Sequence, residues 1–243
     1  LTIRALKKRY GDLPALEAID LEVGPGAAFG LVGANGAGKT TLIKCALDLC
    51  AADAGSIEIF GVPHTDPRAR ARLAFIPERF APPHYLTGRE FIALMLALNG
   101  AAYDAARVAA LLEDLELDAA ALERPVRRLS KGMTQKLGLA SCFLLERDLY
   151  VLDEPMSGLD PGSRVAVKSV LGRLLREGRT LFFTSHVLAD VEELCSSIAI
   201  LADGRVRFHG APEELCSQYS EPHFERAFIR CIRDHGHAPA IRP

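Results

Sequence analysis

The residues best equipped for chemistry form one run, Gly33-Ala34-Asn35-Gly36-Ala37-Gly38-Lys39-Thr40, with Thr41 directly after it. The spacing fits G-x-x-x-x-G-K-[ST], in which glycines let the backbone wrap so that several N–H groups face phosphate oxygens. A helix that follows such a loop adds the positive end of its dipole. In that arrangement Lys39 reaches the β- and γ-phosphates and the Thr40 hydroxyl ligates Mg²⁺. A glycine-rich turn carrying a chance GKT is the bland alternative. The flanks weigh against it, because an apolar run at 28–32 precedes the loop and a helical pattern at 40–50 follows it. On its own, the loop does not separate GTPases, kinases and motors.

A second run, Leu149-Tyr150-Val151-Leu152-Asp153-Glu154-Pro155, is an apolar strand ending in two carboxylates. A carboxylate at such a strand end suits Mg²⁺, and Asp153 fits that role. Glu154, one residue on, is placed to polarise an attacking water. Three further residues are ordinary when read alone. Ser130 is a helix N-cap, His186 a surface histidine after a buried strand, and Tyr10 a packing residue at a strand end.

The elements that must position these groups follow from hydrophobic period and turn residues. Strands are expected at 3–7, 16–23, 28–32, 56–60 and 73–76, with a turn at Gly24-Pro25-Gly26. From about 87 to 146 strand signals vanish, and helices are expected at 91–98, 105–115 and 136–145. Strand 148–153, helix 161–176, strand 180–184 and helix 187–195 then alternate. A hairpin at 198–208 and a helix at 212–219 close the pattern. Such alternation implies an α/β fold with a mostly parallel sheet, preceded by an antiparallel β-region. The reading divides the chain into a core at 1–77 and 148–219, a helical lobe at 78–147 and an extension at 220–243. That extension lacks a long periodic run, so one short helix at 224–232 and a loose end are expected.

Composition narrows the class. The chain has 243 residues, a quarter of them charged, and a formal net charge of -2, which offers no broad basic surface for nucleic acid. The longest apolar stretches fall short of a bilayer span, and Leu1-Thr2-Ile3-Arg4 opens into a strand pattern rather than a signal peptide. Any link to a membrane therefore runs through a partner. The six cysteines form no CxxC pair and no zinc spacing, and read as small buried hydrophobes in a reducing compartment.

Taken in order, these motifs resemble the ATP-binding cassette family over about residues 3–215. Residues 33–41 and 149–160 resemble its Walker A and Walker B segments, and Ser157-Gly158-Leu159-Asp160 its D-loop. Leu129-Ser130-Lys131-Gly132-Met133 resembles the signature usually written L-S-G-G-Q. His186 resembles the switch histidine, and Tyr10 the aromatic that stacks on adenine. The resemblance implies a P-loop NTPase core with an N-terminal antiparallel β-subdomain and an inserted helical subdomain. It also implies ATP and Mg²⁺ as ligands, with Thr40, Asp153 and Glu78 around the metal. Two subunits, most simply a homodimer, would close on two ATP molecules, with Ser130 and Gly132 acting in trans. A separate transmembrane permease would hold the chain at the inner face of the cell membrane.

Two departures from the usual pattern are informative. Glu78 stands where the family often has Gln, and Lys131 and Met133 replace Gly and Gln of the signature. Together with Leu86-Thr87-Gly88-Arg89-Glu90, and more weakly with Pro222-His223-Phe224-Glu225-Arg226-Ala227-Phe228, they resemble the ABC-2 type exporters. Phe80, Pro82, Pro83 and Tyr85 mark the expected docking surface for the permease. A soluble cassette ATPase outside transport is the alternative, disfavoured because no long coiled coil or second cassette is present.

Overall fold

The alternation of the first twenty residues folds into two long antiparallel strands, β1 (Thr2–Tyr10) and β2 (Leu13–Glu22), in the computed structural model, which describes residues 1–235. Their apolar members Ile3, Leu6, Leu16, Ile19 and Leu21 are buried on one face. β1 also pairs with β4 (Ala54–Ile59), which pairs with the two-residue β5 (Val62–Pro63), giving the order β2-β1-β4-β5. Bulges interrupt β1, and at Ala5 the backbone enters the left-handed region (φ 45°) while its N–H donates to Asp20 Oδ1 at 2.8 Å.

Two compact units divide the chain, one built from Leu1–Ala71 and the chain from Phe182 onward, the other from Arg72–Leu181. In the first, β3 (Ala28–Val32) is buried throughout and runs parallel to β9 (Ser197–Ala202). β9 turns back into β10 (Arg205–Gly210), and β8 (Thr180–Ser185) flanks β3 on its other side. Phe29 of β3 stacks on Phe182 of β8 with ring centroids 5.5 Å apart. Helix α1 (Lys39–Ala46) follows β3. It ends four residues sooner than the sequence pattern suggests, because Leu47 caps it and Asp48 takes a left-handed φ of 58°. The short α2 (Pro67–Arg70), capped by Asp66, was too brief for periodicity to reveal.

The C-terminal extension corrects the sequence reading. α7 (Leu188–Leu194) and α8 (Pro212–Gln218) are joined by α9 (Phe224–His235), a twelve-residue helix rather than a brief one. Phe224, Ala227 and Cys231, at helical spacing, are fully or almost fully buried, and Arg230 pairs with Glu221 at 2.7 Å. The small residues Ala and Cys on this stripe hid its apolar character. The loose end expected beyond it falls at 236–243, outside the described residues.

In the second unit β6 (Leu73–Ile76) and β7 (Leu149–Leu152) pair in parallel, with Ile76 opposite Leu152. Helix α5 (Lys131–Phe143) packs on β6, α3 (Gly88–Leu98) and α4 (Ala105–Asp114) pack on α5, and α4 also meets α6 (Pro161–Arg176), with 3₁₀ turns at Ala119–Leu122 and Val126–Arg128. α3 and α5 start before the apolar runs that announce them. Thr87 and Glu90 form a capping box on α3, and Ser130 caps α5 by accepting from the Met133 N–H at 3.2 Å. A Cβ added at Gly138 of α5 would lie 2.6 Å from Phe80 Cε1, and that ring is held edge-on against Phe91 at 5.6 Å. Replacing a helical glycine gains about 1 kcal/mol, but overpacking a filled site costs about 1–3 kcal/mol. Gly138→Ala is therefore expected to lose about 1 kcal/mol net in urea unfolding and to displace Phe80.

Candidate functional site

The phosphate loop takes its shape from what its glycines permit. A Cβ on Gly33 would sit 2.2 Å from the Leu201 carbonyl oxygen, and one on Gly38 2.7 Å from that of Ala15. Gly38 also has φ 110°, a conformation open to glycine and little else. It is the N-cap of α1, so no side chain caps the helix, and the first-turn N–H groups are directed to whatever binds there. The Ala37 N–H closes onto Ala34 O at 3.1 Å, while the buried Lys39 ammonium donates to Gly33 O at 2.7 Å and Ala34 O at 3.3 Å. The loop is thus wound around a cation. Asn35 and Gly36 lie exposed at its crest.

Tyr10, at the end of β1, is half exposed, and its hydroxyl is tethered to this same helix. It receives a hydrogen bond from the Thr41 hydroxyl and donates to Cys50 Sγ at 3.9 Å. The bond to Cys50, then burial, holds the phenol above its ordinary pKa. Lys8 Nζ lies 5.4 Å from the ring centroid. His186 follows β8 on the exposed surface of the same unit, in a turn where the Val187 N–H donates to Ser185 Oγ at 3.0 Å.

In the second unit, Asp153 and Glu154 continue β7 and are both buried. The Asp153 N–H donates to Ile76 O at 2.9 Å, which extends the pairing with β6 and brings the two strand ends side by side. Glu154 has φ 50°, a left-handed conformation for a residue with a long side chain, and its carbonyl accepts from Ser157 N–H at 3.0 Å. Glu78, two residues past the end of β6, is exposed on the rim of a groove of about 550 Å³ that also involves Phe80, Pro82, His84 and Lys131.

Ser130 and Gly132 stand at the start of α5, with open space above Gly132 apart from Leu159 and the Gly158 carbonyl. Asp160 caps α6 by accepting from Ser163 N–H at 3.0 Å and Ser163 Oγ at 2.6 Å, bonds that hold its carboxyl below the usual range.

Two positioning residues were missed in the sequence. Gln135 Nε2, buried in α5, donates to Pro155 O at 2.9 Å and ties the signature helix to the segment that follows Glu154. Lys131 lies across Gly158 of the D-loop, its Cε 2.9 Å from where a Cβ would stand. Nothing local in the sequence marks either residue, because each acts on a segment that only folding brings near. The structure thus brings Tyr10 and the phosphate loop together in one unit, and Glu78, Asp153, Glu154 and the signature residues on adjoining segments of the other. Thr40, Asp153 and Glu78 offer hard oxygen donors. Among the described residues no three His, Cys, Asp or Glu side chains form a metal cage of their own. Oxygen donors of this kind suit Mg²⁺, which binds through one or two carboxylates together with phosphate oxygens rather than in an all-protein cage.

The family profile described as ABC transporter matches residues 16–157, more than half of the chain. The chain belongs to the ABC transporter family. Among its relatives, a Nod factor export ATP-binding protein I of Cupriavidus metallidurans is 36% identical over 220 residues, covering 88% of this chain and 72% of the relative. Uncharacterized ABC transporter ATP-binding proteins of Nostoc sp. and Synechocystis sp. are each 37% identical, and this cassette spans only 64% and 58% of their lengths. A solved ATP-binding subunit of an ABC transporter superposes with a TM-score of 0.83 at 30% identity, covering 95% of this chain and 98% of that one. A dimeric bacterial ABC transporter cassette, 21% identical, shares the fold with a TM-score of 0.79. The α/β cassette fold expected from the sequence is therefore the one present. No helix among the described residues is long and apolar enough to cross a membrane.

Proposed function

We propose that the cassette binds and hydrolyses ATP to drive export of a cargo through a separate transmembrane permease. The observation that carries this reading is the loop wound around the Lys39 ammonium at the uncapped start of α1, with Tyr10 pinned to the same helix. Lys39 and the loop N–H groups take the charge of the β- and γ-phosphates, and Tyr10 offers its ring to adenine. Asn35, Gly36 and Ala37 contribute backbone, as do Gly33 and Ala34 at the loop's entry. Glu154 orients and polarises the attacking water, and His186 meets the γ-phosphate. Thr40, Asp153 and Glu78 are the residues that would hold Mg²⁺, whose chemistry there is neutralisation of phosphate charge.

Ser130 and Gly132 serve the nucleotide bound by a second copy, so the working form is a homodimer. The helical lobe at 78–147 presents the signature and, through the groove beside Phe80, Pro82, Pro83 and Tyr85, receives the permease. This places the cassette at the cytoplasmic face of the cell membrane. Export as the direction is supported by Glu78, by Leu129-Ser130-Lys131-Gly132-Met133 and by relatives named for Nod factor export.

Co-purification with a polytopic membrane protein is the expected result when the cassette is isolated from detergent-solubilised membranes. Recovery as a soluble dimer with full, membrane-independent turnover favours a cassette ATPase outside transport. Tyr10→Ala should weaken nucleotide binding roughly tenfold, since stacking a base on an aromatic ring contributes about 1–3 kcal/mol. A fluorescent ATP analogue titration that shows no change removes the adenine role from Tyr10.

A further inference from the structure

Behind the Tyr10 ring lie two thiols that the hydrolysis reading does not use. Cys45, on the inner face of α1, is completely buried, and its Sγ lies 3.4 Å from that of Cys50, which is partly exposed. The two are joined by a tight reversal. Leu49 N–H and Cys50 N–H both donate to Lys44 O, at 2.8 and 3.2 Å, and Asp48 is left-handed. Cys50 Sγ in turn accepts from the Tyr10 hydroxyl at 3.9 Å. The ammonium of Lys8, bonded to Asp53 Oδ1 at 3.2 Å, lies close enough to interact electrostatically with both sulfurs.

We propose that Cys45 and Cys50 are a peroxide-reactive dithiol whose closure to a disulfide loosens the Tyr10 platform and lowers nucleotide affinity. The affinity part rests on the adenine role proposed for Tyr10. The chemistry divides between the two sulfurs by access. Cys50, the one solvent reaches, attacks hydrogen peroxide as its thiolate: an S–O bond forms, the O–O bond breaks, and hydroxide leaves, giving the sulfenic acid. The Cys45 thiol then displaces that oxygen. The S–S bond forms, the S–O bond breaks, and the hydroxyl leaves as water with the Cys45 proton. Peroxide is the two-electron oxidant, reduced in total to two waters. Burial and the neighbouring Cys50 push the Cys45 thiol up to about 12, consistent with its acting second.

A disulfide requires the sulfurs to approach from 3.4 Å to about 2.05 Å. Cys45 is fixed in a packed helix, so the movement falls on Cys50 at the end of its exposed turn. That shift is large for a sulfur contact already at 3.9 Å, and a disulfide sulfur is a poor acceptor for the Tyr10 hydroxyl.

The test oxidises the reduced protein with hydrogen peroxide and follows it by intact mass, thiol labelling and titration with a fluorescent ATP analogue. The expected product has lost about 2 Da and two labelled thiols, with Cys45 and Cys50 joined in one peptide. Its nucleotide affinity should fall roughly three- to tenfold, the worth of one hydrogen bond, and recover with dithiothreitol. Cys45→Ala, which keeps Cys50 and its bond to Tyr10, should form no cross-link and show no reversible loss. Oxygen added to Cys50 without cross-linking, or a cross-link that leaves affinity unchanged, overturns the proposal. Tyr10→Ala in the reduced protein separates the two readings. A loss there with no effect of oxidation on the unsubstituted chain defeats the dithiol, whereas no loss there defeats the adenine role of Tyr10 and with it the affinity part of the proposal.

Discussion

Glu154→Gln should bind ATP as tightly as the parent chain, accumulate as a closed dimer on gel filtration with ATP, and hydrolyse it roughly 10²–10⁴-fold more slowly. The substitution isolates the chemistry because its structural cost is small. Glu154 is 7% exposed and left-handed at φ 50°, a conformation that costs a residue with a Cβ about 1–2 kcal/mol. Glutamine has the same backbone preference and nearly the same volume, so the strain is unchanged and only the base is removed. Strain held at a strand end, where a carboxylate must be aimed rather than merely buried, is itself a sign of a functional position. Steady-state phosphate release equal to the parent's would remove Glu154 from the reaction and leave its left-handed backbone unexplained.

How far the sequence could be read depended on whether each signal was local. The phosphate loop was legible because every requirement sits within nine residues: glycines where a Cβ would strike Leu201 O and Ala15 O, then Lys and Thr at the helix start. β7 and its two carboxylates were legible for the same reason. Helix starts were less so. α3 and α5 begin at polar caps, Thr87 and Ser130, several residues ahead of the apolar runs that reveal them. α9 was underestimated because its buried stripe is Phe224, Ala227 and Cys231, two of which carry little hydrophobic weight in a sequence. Gln135 and Lys131 could not be read at all as positioning residues. Their partners, the Pro155 carbonyl and Gly158, lie twenty and twenty-seven residues further along the chain, and only the packing of α5 brings them near. The same holds for Cys45 and Cys50. Their spacing is unremarkable in sequence, and their 3.4 Å approach depends on the left-handed turn at Asp48.

Lys39→Ala carries the largest expected loss in binding. The ammonium is 7% exposed and bonded to two loop carbonyls, Gly33 O and Ala34 O. It serves two ends there, holding the loop in its wound form and presenting positive charge to phosphate. A hydrogen bond to a charged group contributes about 1.5–3 kcal/mol, so nucleotide affinity should fall roughly 10- to 150-fold. A conservative variant tests the fit. If positive charge and N–H donors were all that Lys39 supplies, Lys39→Arg would keep most of the affinity, since a guanidinium is also cationic and also donates to carbonyls. Arginine, however, is a wider planar fork, and the loop closes over Lys39 through the Ala37–Ala34 bond at 3.1 Å and glycines that admit no Cβ. Lys39→Arg is therefore expected to bind nucleotide as poorly as Lys39→Ala, while its unfolding midpoint without nucleotide stays near that of the parent. Retained affinity in Lys39→Arg would mean that the charge alone is needed and that the close fit of the loop around the ammonium is incidental.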